Sequence, residues 1–367
     1  MRLRELGLSV GTGQLGAHNA ITDVAGVQVG HTTLIEGDRV RTGVTVIKPV
    51  PGHARATPVP AGTATFNGNG ELTGLEWIRE SGLLTTPIAI TNTHSVGVVR
   101  DALVADDAAQ ASAGTFYWSM PVVGETYDGI LNDINGRHVT ADHVHAALAS
   151  ASGGPVAEGS VGGGTGMICH GFKGGIGTSS RVITIRDTEY VVGVLVQANH
   201  GMRGDLRLDG YPVGRFLGAD VVPEPVIPPA EPGMGSIIIV VATDAPLLAD
   251  QCRRLVPRAY IGMGRAGGGT SDSSGDIALA FSTAAAGRIA PEYVVPTGGQ
   301  PVLPYLAHQL LSPLFSATAD ATEEAILNAM LASPTMVGRD GITAHGLTGD
   351  VLLEALRQTK ASHRSRS

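Results

Sequence analysis

The sequence predicts an α/β protein in which a buried sheet is covered by helices. Six short runs are rich in β-branched residues and end at Gly, Pro, Asn or Asp, which is typical of strands. The runs are almost continuously apolar, so we expect both faces of these strands to be covered. Helical patterns lie between and after them, which favours helices outside the sheet. The six runs are 43–49, 88–93, 181–186, 190–199, 236–243 and 275–283.

The helical patterns differ from the strand runs in length and period. The first begins at Ser95, a plausible N-cap residue because its hydroxyl can accept a backbone N–H. Two lie between predicted strands and three in the C-terminal third. The predicted helices are 95–111, 141–151, 245–260, 304–315, 321–333 and 348–358.

Composition excludes several classes of protein. The chain has 367 residues, of which 43% are hydrophobic and 16% charged, a balance that suits a folded domain with a large core. The net charge is −8 and no basic patch stands out, so nucleic acid is not an expected partner. No apolar stretch is long enough for a membrane span, and residues 1–16 do not resemble a secretory signal. We therefore expect a cytoplasmic protein with two reduced cysteines.

The junction between residues 235 and 236 suggests a particular chemistry. Segment 221–235 contains five prolines, which predicts an exposed loop, and the apolar run 236–243 follows at once. A serine hydroxyl in this place can attack the carbonyl of Gly235, and a residue without Cβ can adopt a strained backbone there. Cleavage would leave Ser236 with both a hydroxyl and a free α-amine. That amine can act as a general base near neutral pH.

Longer motifs resemble one known family, the L-aminopeptidase/D-amidase-esterase family, which includes the β-peptidyl aminopeptidases. The resemblance extends from about residue 5 to about residue 350, with the motifs in the family's order. The motifs are ITDVAGVQVGHTT, VVGETYDGILNDING, GSVGGGTGMICHGFKGGIGTSSR, VGVLVQANHG, GMGSIIIVVATDAPLL and GTSDSSGDIALAFST.

The resemblance implies a four-layer αββα sandwich, similar to the N-terminal-nucleophile hydrolases but with different strand connectivity. It implies one domain over residues 1–367, made as a precursor and cut between Gly235 and Ser236. The products would be an α chain of residues 1–235 and a β chain of residues 236–367. Family members form oligomers, typically tetramers of αβ units.

The resemblance also implies which residues carry the reaction on the β-chain side. Ser236 matches the family's nucleophile. Ser274 matches a second serine, which hydrogen-bonds near the nucleophile and its amine. Asp276 matches an acidic position that supports this serine, although some relatives carry Glu there.

Four further matches lie in the predicted α chain. Tyr127 and Asn199 match side chains that face the developing oxyanion. Glu125 matches a carboxylate that holds the free ammonium of the substrate, which would make the enzyme an aminopeptidase. Trp118 matches an aromatic residue that lines the substrate pocket.

Each matched position also has a purely structural interpretation. Ser274 can simply precede the strand over 275–283, and Asn199 can be a turn residue. Glu125 and Asp128 can be exposed loop charges, and Tyr127 can be a half-buried packing residue. Only the joint match to one family favours the catalytic interpretation.

The glycine-rich segment 159–180, with Lys173 inside it, resembles a phosphate-binding loop at first sight. It lacks the G-x-x-x-x-G-K-[ST] pattern, because Gly174 follows Lys173. We expect its glycines to let backbone pack against backbone. His31, His170 and His200 are expected to be structural, since no zinc-type spacing is present. The sequence therefore predicts no metal and no cofactor.

The favoured hypothesis is an autoprocessed serine aminopeptidase or amidase that releases N-terminal residues from short peptides, amino amides or esters. One alternative keeps the same site but prefers β-amino peptides, D-amino amides or esters. A remote alternative is acyl transfer like that of the ornithine acetyltransferases, but these use a threonine nucleophile in a different motif. The last alternative is an uncut, non-enzymatic binding module.

Overall fold

Two β-sheets lie face to face at the centre of the protein. A computed structural model describes residues 1–111, 117–226, 235–291, 294 and 302–364, with side chains through residue 362. Its strands are β1 (Gln28–Glu36), β2 (Val40–Lys48), β3 (Val59–Gly68), β4 (Leu83–Leu84), β5 (Ile88–Asn92), β6 (Val122–Thr126), β7 (Ile168–Cys169), β8 (Phe172–Lys173), β9 (Gly175–Ile185), β10 (Thr188–Asn199), β11 (Ser236–Thr243), β12 (Gly275–Ser282), β13 (Met336–Val337) and β14 (Thr343–Ala344). Its α-helices are α1 (Leu75–Ser81), α2 (Val96–Gln110), α3 (Ala141–Ser150), α4 (Ala249–Ala266), α5 (Ser312–Leu331) and α6 (Gly349–Arg364).

The two large sheets are both mixed. One has four strands in the order β1-β2-β5-β6, and only β5 and β6 run parallel. The other has six strands in the order β4-β3-β12-β11-β10-β9, and only β11 and β12 run parallel. The parallel pair β11–β12 therefore lies at the middle of the larger sheet.

Strand β11 shows why its sequence is apolar at almost every position. Ile237, Ile239 and Val241 point into the core beneath the helices on the outer face of the six-stranded sheet. Ile238 and Val240 point the other way, into the core between the sheets. Because side chains alternate along a strand, burial on both faces requires a continuous apolar run.

Helices cover the outer face of each sheet. Helices α4 and α5 pack on the six-stranded sheet, and α2 and α3 pack on the four-stranded sheet. Val99 and Leu103 of α2, for example, share a buried cluster with Val44 and Val46 of β2. The order of layers is therefore helix, sheet, sheet, helix, which confirms the αββα sandwich.

All six predicted strands are present, but the sequence patterns missed four strands of the large sheets, β1, β3, β6 and the two-residue β4. Strand β1 alternates buried and exposed residues irregularly, and the second half of β3 is largely exposed. Strand β6 has only five residues, and Gly124 and Glu125 interrupt its apolar pattern. Such short or half-exposed segments carry little of the periodic signal that identifies a strand.

Two helix predictions need correction. The pattern over 304–315 forms a short 3₁₀ turn at His308–Leu310 and becomes α-helical only at Ser312, with Pro313 in the first turn. Helix α5 then continues through the second predicted segment. Ser95 occupies the N-cap position of α2, but its side chain makes no cap hydrogen bond. Its backbone is already helical because a short 3₁₀ turn precedes the helix.

The structure bears on three further expectations, which concern the cysteines, a membrane span and the proline-rich loop. Cys169 and Cys252 are free, buried thiols. Within the described ranges, no helix is both long enough and apolar enough to cross a membrane. Residues 227–234, which contain three of the five prolines, lie outside the described residues, so the exposed loop remains a prediction.

A buried ion pair joins the edge of the six-stranded sheet to α5. The Arg181 guanidinium donates to Glu324 Oε2 at 2.7 Å, and both side chains are fully buried. Arg4 donates to the same oxygen at 2.7 Å, and Asn19 donates to Oε1 at 2.7 Å. The Glu324 carboxylate therefore ties the N-terminal segment, β9 and α5 together.

We predict that Glu324→Ala destabilises the fold by about 3–5 kcal/mol, because it leaves the buried Arg181 charge without its partner. Thermal unfolding of the purified variant measures this loss. The matched control is Glu354→Ala, which breaks an exposed pair with Arg357 on α6 and should leave Tm unchanged. Equal Tm values for both variants would contradict the assigned role of the pair.

Candidate active site

Three strand ends meet at one edge of the six-stranded sheet. Ser236 is the first residue of β11 and pairs with Asn199, the last residue of the antiparallel strand β10. On its other side it pairs with Gly275, the first residue of the parallel strand β12. Residues that are far apart in the sequence are therefore brought to one place by strand register.

The backbone N–H of Gly275 contacts both the Ser236 hydroxyl and the Gly235 carbonyl at the 235–236 junction. It donates to Ser236 Oγ at 3.2 Å and to the carbonyl oxygen of Gly235 at 3.3 Å. The hydroxyl that would attack and the carbonyl that would be attacked thus share one donor. Ser236 itself is only 5% exposed.

The backbone of the β10 end leaves little space for a side chain at Gly235. A Cβ at this position would lie 2.9 Å from the carbonyl oxygen of Asn199 and 3.1 Å from the Cα of His200. The close approach of the β10 end explains why this position lacks a Cβ.

Ser274 and Asp276 form a buried pair beside the junction. Ser274 Oγ donates to Asp276 Oδ1 at 2.5 Å. Asp276 Oδ2 is buried, and the described residues supply it with no hydrogen-bond partner. Burial raises the pKa of Asp276, and the bond from Ser274 opposes this rise. The pairing of β12 with β3 shifts here, because Asp276 pairs with Asn67 and Ile277 with Thr65, which leaves Phe66 of β3 as the extra residue of a β-bulge.

The amide of Asn199 is held in one orientation by two hydrogen bonds. Its Oδ1 accepts from the backbone N–H of Ile168 at 2.7 Å, and its Nδ2 donates to the carbonyl of Tyr127 at 3.0 Å. An Asn amide carries two N–H donors, so one remains for a further acceptor. Asn199 ends a strand and is buried, so it is not the turn residue of the structural interpretation.

Glu125 and Tyr127 line a cleft that also contains Ser236 and the loop over residues 68–71. Glu125 Oε1 accepts from the backbone N–H of Glu71 at 2.9 Å, and Oε2 accepts from the Thr93 hydroxyl. Burial raises the pKa of Glu125, while these two bonds lower it. With 3% exposure, Glu125 is not an exposed loop charge.

Asp128 is also buried, in contrast to the structural interpretation. Its carboxylate accepts from the amides of Asn92 and Asn132, each at 3.1 Å. Burial raises its pKa to about 6. These bonds hold the turn that follows Tyr127, so Asp128 supports the wall of the cleft.

Trp118 packs beside Trp77 and Arg55. Its ring contacts Trp77 edge-on with centroids 5.2 Å apart, and the Arg55 guanidinium lies 5.5 Å from its ring centroid. Among the described residues that line the cleft beside Ser236, Trp118 is not included. Its position in a single chain therefore gives no support to a pocket-lining role.

Residues that the sequence patterns did not identify also shape the site. Asn67 Nδ2 donates to the carbonyls of Asp272 at 2.8 Å and Ser274 at 2.5 Å, which holds the loop before β12. Thr93 and Glu71 orient the Glu125 carboxylate. Polar residues at strand ends and in loops are common, so no sequence signal distinguishes these three.

The glycine-rich segment packs backbone against backbone, as expected. A Cβ at Gly163 would lie 2.6 Å from the carbonyl oxygen of Ile90, and one at Gly177 would lie 1.9 Å from that of Ala325. Lys173 is fully buried, and its ammonium donates to backbone carbonyls. It is not available to a phosphate, which argues against the phosphate-loop interpretation.

Comparisons with known proteins agree on one family. The profile of peptidase family S58 matches residues 19–344. The beta-peptidyl aminopeptidase BapA of Sphingosinicella microcystinivorans is 48% identical over 363 residues, which cover 94% of this chain and 89% of the relative.

Solved structures extend the likeness to the fold. A beta-aminopeptidase of Burkholderia sp. is 55% identical with a TM-score of 0.92, covering 98% of this chain and 99% of that chain. The L-aminopeptidase D-Ala-esterase/amidase of Ochrobactrum anthropi is 43% identical with a TM-score of 0.89, covering 97% and 98%. That structure is described as a prototype for the serine aminopeptidases and a new variant among the Ntn hydrolase fold. The chain therefore belongs to peptidase family S58, and it is a hydrolase with an α/β fold of this Ntn-like type.

Proposed function

We propose that this chain cuts itself between Gly235 and Ser236 and then acts as an aminopeptidase with Ser236 as its N-terminal nucleophile. Membership of family S58 makes the chain an aminopeptidase or amidase. The observation that supports the proposed nucleophile is the position of Ser236 Oγ, beside the Gly275 N–H and opposite Asn199.

The contacts at the junction support the proposed processing step. Ser236 Oγ attacks the carbonyl carbon of Gly235, and an ester forms as the peptide C–N bond breaks. The former amide nitrogen takes up a proton and becomes the α-amine of Ser236. Water then hydrolyses the ester, which leaves a carboxylate on Gly235. The Gly275 N–H favours this step because it can donate to the oxygen that becomes negative.

The same groups support cleavage of a substrate. The Ser236 amine takes the hydroxyl proton as Oγ attacks the carbonyl of the substrate's first residue. Asn199 and Tyr127 donate to the oxyanion, and the Glu125 carboxylate pairs with the substrate's ammonium. The leaving amine departs with a proton, and water releases the acyl group from Ser236.

A second candidate substrate class is the β-amino acyl peptides. The Sphingosinicella and Burkholderia relatives are named for activity on β-linked substrates, and both are more similar in sequence to this chain than the Ochrobactrum enzyme. We propose that β-amino amides are cleaved alongside α-amino amides at the same site.

Assembly and location belong to the same proposal. The family resemblance supports a tetramer of αβ units, and the two free thiols favour a cytoplasmic enzyme. Size-exclusion chromatography with light scattering tests the assembly, and a monomer would contradict it.

Lys173 supports Asn199 through a chain of polar groups. Its ammonium donates to the Met167 carbonyl at 2.9 Å, and the N–H of the same peptide unit, on Ile168, donates to Asn199 Oδ1 at 2.7 Å. Hydrogen bonds in such a chain polarise one another. We therefore infer that Lys173 is a positioning residue, which strengthens the donor that Asn199 offers to the oxyanion.

The proposed nucleophile is tested by hydrolysis of amino acyl p-nitroanilides, with one α-amino and one β-amino substrate. Ser236→Ala should lose at least about 10³-fold in kcat on both, because the residue supplies nucleophile and base together. The control is Ser282→Ala, which removes another buried serine at the far end of the neighbouring strand. Ser236→Ala with activity like that of the control would exclude Ser236 as the nucleophile.

The proposed role of Glu125 predicts a pH dependence. Burial raises its pKa in the folded state. As pH falls, Glu125 therefore takes up a proton and loses its negative charge at a higher pH than an ordinary carboxyl group. KM for a substrate with a free amine should therefore rise as pH falls through this raised pKa. Glu125→Gln should raise KM and abolish that acid limb. An unchanged acid limb in Glu125→Gln would exclude the role.

Lys173→Met should lower kcat while leaving KM nearly unchanged, because the ammonium acts through Asn199 and touches no substrate. Its effect should be smaller than the roughly 10²–10³-fold loss expected for Asn199→Ala. Lys360→Met, at an exposed position on α6, is the control. If Lys173→Met lowered Tm but not kcat, Lys173 would have a structural role alone.

A further inference from the structure

Three potential metal ligands meet beside the active site, although their spacing in the sequence suggested none. Cys169 ends β7, His170 follows it in the turn, and His200 follows the end of β10. One ring nitrogen of each histidine and the Cys169 Sγ all lie within 4.8 Å of one another. The Cys169 Sγ is 3.9 Å from His200 Nδ1. All three residues are buried.

Two ring nitrogens of this cluster are buried without a hydrogen-bond partner among the described residues. His170 Nδ1 contacts the Met202 carbonyl at 2.9 Å, so Nδ1 carries the proton and Nε2 presents a lone pair. Neither His170 Nε2 nor His200 Nε2 has a hydrogen-bond partner within the described part of the chain. Buried polar atoms are rarely left in this state. A histidine whose second nitrogen donates to a backbone carbonyl is also the usual arrangement of a metal ligand.

The backbone holds the rings in place. His170 has a φ of 50°, a conformation that few side-chain-bearing residues adopt and that recurs at functional sites. Gly201 allows its ring to approach closely, because a Cβ there would lie 2.2 Å from the His170 ring. The ring centroids of His170 and His200 are 5.4 Å apart.

The donor set selects the class of ion. Two imidazoles and a thiolate suit Zn²⁺ and similar borderline cations, whereas Ca²⁺ and Mg²⁺ require oxygen ligands. Bond lengths to zinc place tetrahedral ligand atoms ~3.3–3.7 Å apart. The ligand atoms lie within 4.8 Å of one another, so each pair needs to close by no more than about 1.5 Å to reach this geometry.

The neighbouring charges are compatible with such an ion. Burial raises the pKa of Cys169, and the positive charge of Lys173 opposes this rise. Burial lowers the pKa of His170, and the positive charge of Arg203 lowers it further. Lys173 Nζ is surrounded by three backbone carbonyls, and the Arg203 guanidinium donates to four more. Asp205 contributes a negative charge that acts on His170. The Cys169 thiolate would offset one further positive charge.

We propose that Cys169, His170 and His200 form a three-ligand site for a zinc-class divalent cation. On binding, the Cys169 S–H bond breaks, a metal–sulfur bond forms and the proton passes to solvent. The fourth position faces a cavity of about 190 Å³ that is lined in part by His200, Met202, Arg203 and Gly235. A water molecule or a carboxylate fits this position.

The ion would connect two segments that matter to the active site. The residue before Cys169 is Ile168, whose N–H orients Asn199, and the residue before His200 is Asn199 itself. A bound cation would therefore hold Ile168 and Asn199 in their relative positions, and so would fix the proposed oxyanion donor without touching the reacting atoms. Metal binding does not depend on self-cleavage or on the identity of the nucleophile, so its test stands apart from that of the proposed function.

The test uses tag-free, chelator-stripped full-length protein titrated with Co²⁺ and then Zn²⁺. We expect one Co²⁺ per chain, with the visible bands of a tetrahedral complex and a near-ultraviolet thiolate charge-transfer band. Zn²⁺ should displace Co²⁺ and raise Tm, because it binds the folded state. Absence of these bands at saturating Co²⁺ would overturn the proposal.

Variants decide which residues bind the ion. Cys169→Ser should abolish the charge-transfer band, and His200→Phe should weaken Co²⁺ binding at least about tenfold. His170→Asn should weaken it similarly, and asparagine tolerates the positive φ, so this variant guards against misfolding. The matched control is Cys252→Ser, which changes the other buried thiol, on α4, and should bind Co²⁺ like the wild type. Equal binding by all four variants would overturn the proposal.

Discussion

The pairing register of β10, β11 and β12 is the constraint on which the site depends. It places Ser236 between Asn199 and Gly275. A slip of one residue would turn Ser236 to the opposite face and exchange the two cores that β11 serves. Both faces of β11 are fully buried. After such a slip, every side chain of β11 would lie in the core meant for its neighbour and would no longer fit the surrounding side chains. The core therefore determines where the serine lies.

The charged groups around the junction are supported mainly by backbone and neutral side chains. Glu125 accepts from a backbone N–H and a threonine hydroxyl, Asp276 from a serine, and Lys173 donates only to carbonyls among its described bonds. Burial without an opposite charge raises the carboxyl pKa values and lowers that of Lys173 to about 7. The charged form of such a group is stabilised when a substrate places an opposite charge beside it. Glu125 is thus suited to recognise an ammonium.

The sequence predicted the strands that are buried on both faces, because a continuous β-branched run is a strong local signal. The family resemblance named Glu125, Tyr127, Asn199, Ser274 and Asp276. The structure brings Asn199, Ser274 and Asp276 close to Ser236 at the end of the six-stranded sheet, and Glu125 and Tyr127 line the same cleft from the four-stranded sheet. Spacing alone did not predict this, since strand order is a property of the whole fold. Sequence spacing also missed the three-ligand cluster. Residues 169 and 170 meet residue 200 only because the fold brings the end of β7 next to the end of β10. The position of Trp118 depends on packing that no local pattern records.

The most direct test of the central claim is the intact mass of the purified chain together with N-terminal sequencing. The account predicts two polypeptides, with a new N-terminus that begins Ser-Ile-Ile-Ile at residue 236. It also predicts that amide hydrolysis appears in step with the cut. A single chain of 37.6 kDa that hydrolyses amino amides at full rate would contradict the account, because its Ser236 nitrogen would still be an amide and not a base.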